Sequence, residues 1–259
     1  MIISHHHRFI FLRSCKTGST STALAVRQSG ILDLGSDISN LIDGPVRDEF
    51  HRALNMPSTP PTDSQFAKFA PHTLSWQNPI KRVMHLNLPE LVDLGFLTAG
   101  QARDYDLYVS IREPVDKMIS TANFLLKRAP RVLFKQHGIA RPGTVQEVLD
   151  DKVIDQIMPI LALPQSHWFQ TDNPERLRFL LFDDLQNEVT AFINRYGGTW
   201  SADQMPKKKS GFRDMRTDSA ENLLRPEAVT KLRQEYREDY RIWNEVKQRR
   251  SLSEDGATG

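Results

Sequence analysis

The chain has a single cysteine, Cys15, in 259 residues. An intrachain disulfide is therefore impossible, which excludes the stapled framework of small secreted domains. Long apolar runs are missing as well. No segment approaches the roughly 20 apolar residues needed to span a bilayer. The opening MIISHHHRFIFLRS turns polar after Ile3 and lacks the apolar core of a signal segment. Charge of one sign is also missing: 34 Lys and Arg face 32 Asp and Glu, for a net charge of +2. Such a balance does not indicate a nucleic-acid partner, and it means that any anionic ligand must be met by a local basic site. These absences predict a soluble, cytoplasmic protein without a membrane span. The cluster His5, His6, His7 reads as a solvated flank, because no further metal ligands accompany it.

What is present is enough to build a core: 39% of the residues are hydrophobic and 25% charged. At this length an α/β fold often forms one domain, here residues 1–250, with 251–259 (SLSEDGATG) read as a disordered tail. Residues 8–13 (RFIFLR) predict a buried strand, and the small, polar stretch 14–21 (SCKTGSTS) runs from it into a helix over 22–28. Residues 30–78 are proline-broken and read as an excursion from the sheet. Further strands are predicted at 81–87, 106–112 and 178–182. Helices are predicted at 89–94, 115–127, 144–149, 153–161, 184–196 and 226–247, and a basic loop at 207–212. Alternating strands and helices predict an α/β fold of three layers, with a central, mainly parallel sheet covered on both faces.

Lys16-Thr17-Gly18-Ser19-Thr20-Ser21 has the composition of a phosphate cradle. Gly18 permits a turn and a close approach of backbone to ligand. The amides that follow open a helix, where the dipole favours an anion. Lys16 adds a point charge and the hydroxyls add donors. The nucleoside-triphosphatase pattern does not fit, because Lys16 precedes the single Gly instead of following a second one. The tyrosine-phosphatase pattern fails too, since Ser21 stands where it requires Arg.

The loop resembles the 5′-phosphosulfate loop of the sulfotransferases that use 3′-phosphoadenosine 5′-phosphosulfate, with Cys15 standing where that family usually has Pro. A second segment strengthens the resemblance. In Val109-Ser110-Ile111-Arg112-Glu113-Pro114 a predicted strand ends in Arg-x-Pro, and Ser120 follows eight residues after Arg112. This is similar to the family's 3′-phosphate element. Met84-His85-Leu86-Asn87-Leu88-Pro89-Glu90-Leu91 resembles the carbohydrate-type branch, in which a strand-end histidine is the base and Glu-Leu-x-x-x-Gly follows. Gln165 with Trp168, the strand 178–182 with Asp184, and Tyr236 with Asp239 and Trp243 also match the family. They read as carriers of fold.

The resemblance implies a P-loop NTPase-like fold and a sulfuryl transfer to an acceptor hydroxyl of a carbohydrate or small molecule. It implies that Lys16, Thr17, Gly18, Ser19, Thr20 and Ser21 hold the 5′-phosphosulfate. Arg112 and Ser120 would hold the 3′-phosphate, with Lys209 and Ser210 of the basic loop over it. His85 would act as base, Glu90 being the competing candidate, and Lys16 would stabilise the leaving oxygen. No metal is implied. Two other classes stay open: a P-loop-type kinase or nucleotidase, and a non-catalytic nucleotide-binding protein on the same fold.

Overall fold

A computed structural model describes residues 1–33, 37–39, 85–93, 95–128, 134–135, 137–206 and 223–255. The strands are β1 (Ile2–Ser4), β2 (Phe9–Leu12), β3 (Ile38–Ser39), β4 (Asp106–Ile111) and β5 (Leu177–Leu181). In chain order the helices are α1 (Ser19–Gln28), α2 (Leu88–Asp93), α3 (Ala99–Asp104), α4 (Pro114–Arg128), α5 (Val145–Asp150), α6 (Val153–Ile157), α7 (Pro159–Ala162), α8 (Leu185–Arg195), α9 (Pro226–Glu235) and α10 (Arg237–Asp255). The chain divides into two compact units: Met1–Ile111 with His167–Lys208, and Arg112–Ser166 with Lys209–Gly259.

The first unit is α/β. Its open sheet has the order β3-β1-β2-β4-β5. The three longest strands, β2, β4 and β5, run parallel, and β1 and β3 add antiparallel pairs at one edge. Every residue of β2 and β4 is buried, which is what short, continuous apolar runs in a parallel sheet require. On one face Phe9, Phe11, Tyr108 and Leu180 pack against Ala23 and Val26 of α1 and Val189, Phe192 and Ile193 of α8. Tyr108 and Phe192 stack at 4.1 Å between ring centroids. Gly18 is pressed by this core: a Cβ there would lie 2.3 Å from Leu185 Cδ2.

The N-terminal histidines are better organised than a solvated flank. They form the turn between β1 and β2, with the His5 and His6 N–H groups donating to the Asp37 carboxylate at 2.7 and 3.2 Å. Arg8 closes that turn at φ 57°.

The second unit is helical. Its α4 packs against α5, α6, α7 and α9. Two buried side chains tie its connections down. Lys117 Nζ donates to the Leu163 carbonyl at 2.5 Å, and the Tyr236 hydroxyl donates to the Ala162 carbonyl at 2.7 Å. Tyr236 also separates α9 from α10, so the helix expected as one piece over 226–247 is two. Ser251–Asp255, expected in a disordered tail, continues α10, while residues 256–259 lie outside the described residues. Among the described residues no helix is long and apolar enough to cross a membrane.

Candidate functional site

Strand β2 ends at Leu12, and the chain enters the loop through two buried residues, Arg13 and Ser14. The Ser14 hydroxyl donates to the Ser110 carbonyl at 2.7 Å, pinning the loop to the end of β4. The Ser14 carbonyl accepts from the Thr17 hydroxyl at 3.1 Å and the Ser19 hydroxyl at 2.8 Å. Thr17 and Ser19 are buried, so their side chains brace the loop from within. The Thr17 and Ser19 hydroxyls are thereby committed to the loop itself.

The loop backbone has a specific form. Lys16 (φ 64°) and Gly18 (φ 78°) are left-handed, while Thr17 between them is not. Where left-handed residues alternate with right-handed ones, successive N–H groups turn toward one side, the form of an anion-binding concavity. Gly18 is the N-cap of α1 and supplies no side-chain cap. The first N–H groups of a helix have no acceptor within it, so α1 presents them beyond the loop.

Beneath the loop lies a residue that the motif does not include. The buried Arg13 guanidinium donates to the Thr20 hydroxyl at 2.8 Å. Burial lowers its pKa to about 10, partly offset by the nearby Cys15, so Arg13 stays a cation at neutral pH. Thr20, which accepts from Arg13, keeps its own proton for a further partner. Thr20 and Ser21 are half-buried, as is Lys16.

His85 lies in a turn, and Leu86 and Asn87 after it are not strand; residues 81–84 of the strand predicted over 81–87 lie outside the described residues. Its ring nonetheless sits on the loop entrance. His85 Nδ1 is 2.7 Å from the Arg13 carbonyl and 3.5 Å from Cys15 Sγ. A carbonyl only accepts, so Nδ1 carries the proton of the neutral ring, and Nε2 is left as the basic nitrogen. The main chain is held too: the buried Trp168 indole donates to the His85 carbonyl at 3.1 Å.

Glu90, the competing base, is committed to structure. Its carboxylate accepts the Asn87 N–H at 2.7 Å, and the Asn87 side-chain oxygen accepts the Glu90 N–H at 2.9 Å. The pair forms a reciprocal cap at the start of α2. The same geometry fixes the Asn87 amide, whose Nδ2 donates to His167 Nε2 at 3.3 Å. Cys15 is buried against His85.

In the second unit, Arg112 follows β4 directly in the chain. Its N–H donates to Gln165 Oε1 at 2.8 Å and its carbonyl accepts from Gln165 Nε2 at 2.7 Å, so one side chain holds its backbone as a neighbouring strand would. The Gln165 and Ser166 N–H groups donate in turn to the buried Asp239 carboxylate at 2.6 and 2.8 Å. The Arg112 guanidinium is 7% exposed and pairs with Asp116 in the first turn of α4. Ser120 is half-buried on the same helix. Lys209 and Ser210 lie outside the described residues. Within the first unit, residues 16–21 and His85 are thus brought together. Among the described residues no group of three His, Cys, Asp or Glu side chains could hold a metal ion.

Comparison of the chain with protein-family models, with curated proteins and with solved structures finds no match in any of the three.

Proposed function

We propose that this chain is a sulfotransferase of P-loop-like fold, moving a sulfuryl group from 3′-phosphoadenosine 5′-phosphosulfate to an acceptor hydroxyl, probed first among carbohydrates. The observation that carries the reading is the contact of the His85 ring with the backbone that opens the loop, 2.7 Å from the Arg13 carbonyl. This contact supports reading the loop as an anion cradle and the neighbouring histidine as the base. The donor supplies a sulfuryl group on a phosphosulfate anhydride. In this reading Lys16 and the N–H groups of residues 17–21 hold the 5′-phosphosulfate, and Arg13 adds charge beneath them. Arg112 and Ser120 are assigned the 3′-phosphate, with Lys209 and Ser210 over it.

His85 Nε2 takes the proton of the acceptor hydroxyl as its oxygen attacks sulfur, and the S–O bond to the 5′-phosphate breaks. A well-placed base contributes roughly 10² to 10⁴ in rate. Lys16 stabilises the negative charge that appears on the departing oxygen.

The test is ligand-dependent melting. Adenosine 3′,5′-bisphosphate at about 100 times its Kd stabilises the native state by about 2.7 kcal/mol, a rise of roughly 5–10 °C for a chain of this class. ATP, which lacks a 3′-phosphate, gives much less. Equal effects of the two, or none from either, refute the reading.

A further inference from the structure

A second basic cluster lies at the far end of the same parallel strands. Asp106 opens β4 and is in register with Phe9 at the start of β2, whereas the loop follows the other end of β2. Four to five residues at about 3.3 Å each separate the two ends, roughly 15 Å. Around the Asp106 carboxylate stand three guanidinium groups: Arg176 at 3.4 Å, Arg178 at 3.9 Å and Arg195 at 3.5 Å. The Tyr196 hydroxyl adds a contact at 3.3 Å.

A carboxylate serving only as an internal partner is satisfied by one two-pronged arginine at about 2.7–2.9 Å. Here every contact is longer, and three cations share one anion. The Asp106 side chain is 9% exposed, while Arg176, Arg178 and Arg195 are 51%, 37% and 54% exposed. The carboxylate therefore lies at the base, and the cations carry unused N–H groups at the rim. Glu175, beside Arg176 in sequence, forms no ion pair among the described residues. Three arginines against the carboxylates of Asp106 and Glu175 leave a local excess of one positive charge.

The forks are also held in place. Arg178 donates to the Glu175 carbonyl at 2.6 Å, and Arg195 ends α8, where the helix dipole favours a cation. Planar forks with spare donors and a fixed positive excess match an oxyanion.

We propose that Arg176, Arg178 and Arg195, organised by Asp106, form a binding site for a sulfate or phosphate group at the N-terminal edge of the parallel strands. The site stands on residues separate from the loop and does not depend on the proposed activity. The group comes either as a free inorganic ion or as a substituent of a larger anion. The experiment is an NMR titration of the whole chain, following the arginine Nε–Hε signals and the amides of residues 176–178 and 195. The arms are sodium sulfate, sodium phosphate, a sulfated disaccharide, and sodium chloride at matched ionic strength.

The expected result is a shift that saturates at millimolar sulfate or phosphate, is absent with chloride, and disappears in the double variant Arg176→Gln/Arg195→Gln. Both side chains are exposed enough for that variant to fold. Saturation by the disaccharide below the concentration needed for inorganic sulfate identifies a substituent group as ligand; the reverse order identifies the free ion. Shifts that grow without saturation, that chloride reproduces, or that persist in the double variant overturn the proposal.

Discussion

Gly18→Ala tests the geometry on which the loop depends. Gly18 is left-handed at φ 78°, where an L-residue is disfavoured by about 1–2 kcal/mol. The new Cβ would also lie 2.3 Å from Leu185 Cδ2 and 3.2 Å from Phe182 Cδ2. Overpacking of that kind costs about 1–3 kcal/mol, and the half-buried Leu185 can yield part of it. The sum is about 2–5 kcal/mol, or a fall in Tm of roughly 5–15 °C.

Gly30→Ala separates the two contributions. Gly30 is also left-handed, at φ 76°, but a Cβ there meets nothing within 4 Å. It therefore bears only the backbone cost. Calorimetry should place Gly18→Ala below Gly30→Ala by the size of the steric overlap. The function should divide the same way. Gly18→Ala displaces the first amides of α1 and weakens binding of adenosine 3′,5′-bisphosphate, while Gly30→Ala, just past the far end of α1, leaves it unchanged. Equal Tm values for the two variants would refute the claim that the loop is wedged against Leu185.

Other perturbations follow from particular contacts. His85→Ala should leave binding of adenosine 3′,5′-bisphosphate intact and lower turnover by roughly two orders of magnitude or more; Glu90→Gln keeps a side-chain oxygen to accept the Asn87 N–H, as Gln101 does in the capping box of α3, so it should leave stability nearly unchanged and keep turnover, and loss of turnover in Glu90→Gln alone would reassign the base. Gln165→Leu leaves the buried Arg112 N–H and carbonyl unpaired, at about 1–3 kcal/mol each, so a melting curve that does not move would reject the clamp. Asp116 occupies the Arg112 guanidinium; Asp116→Asn should release it and tighten binding of adenosine 3′,5′-bisphosphate but not of AMP, and identical calorimetric affinities in wild type and variant would remove Arg112 from the 3′-phosphate. Burial raises the Tyr108, Tyr196 and Tyr236 hydroxyls above the ordinary tyrosine value. The folded state then keeps protons that the unfolded state releases, so their contribution is present below pH about 10 and is lost above it; an unfolding free energy that rises between pH 9 and 11 would contradict this.

The legible parts of the fold are those whose signal is local. RFIFLR leads into a loop and a helix, and both faces of β2 are buried as an unbroken apolar run implies. DLYVSI is β4 by the same logic. The edge strands gave no such signal. β1 is three residues long, and its turn uses Arg8 at φ 57° where a hairpin would ordinarily show Gly or Asn. β3 is two residues, fixed by its pairing with β1 beside Asp37, which also accepts from Ser4 and His5. α3 did leave a mark: Thr98 and Gln101 form a capping box, the spacing of which is visible in the sequence. None of its residues is buried, so hydrophobic periodicity had nothing to find.

At the site, Gly18 was legible because its role is a backbone conformation that belongs to a single residue; Lys16 was read as a charge, and its left-handed backbone carried no mark in the sequence. The roles of Arg13, Gln165 and Asp239 are not of that kind. Each exists only as a contact, between residues 7 apart for Arg13 and Thr20, 53 for Gln165 and Arg112, and 74 for Asp239 and Gln165. The hydroxyls show the same distinction from the other side. Thr17 and Ser19 have the right chemistry to face a phosphate, yet both bond the Ser14 carbonyl. Composition can say that a loop is rich in donors; only the placement of each acceptor says which donors remain for a ligand. Here the two buried hydroxyls are spent on fixing the turn, so the proposed anion binding falls to the backbone N–H groups.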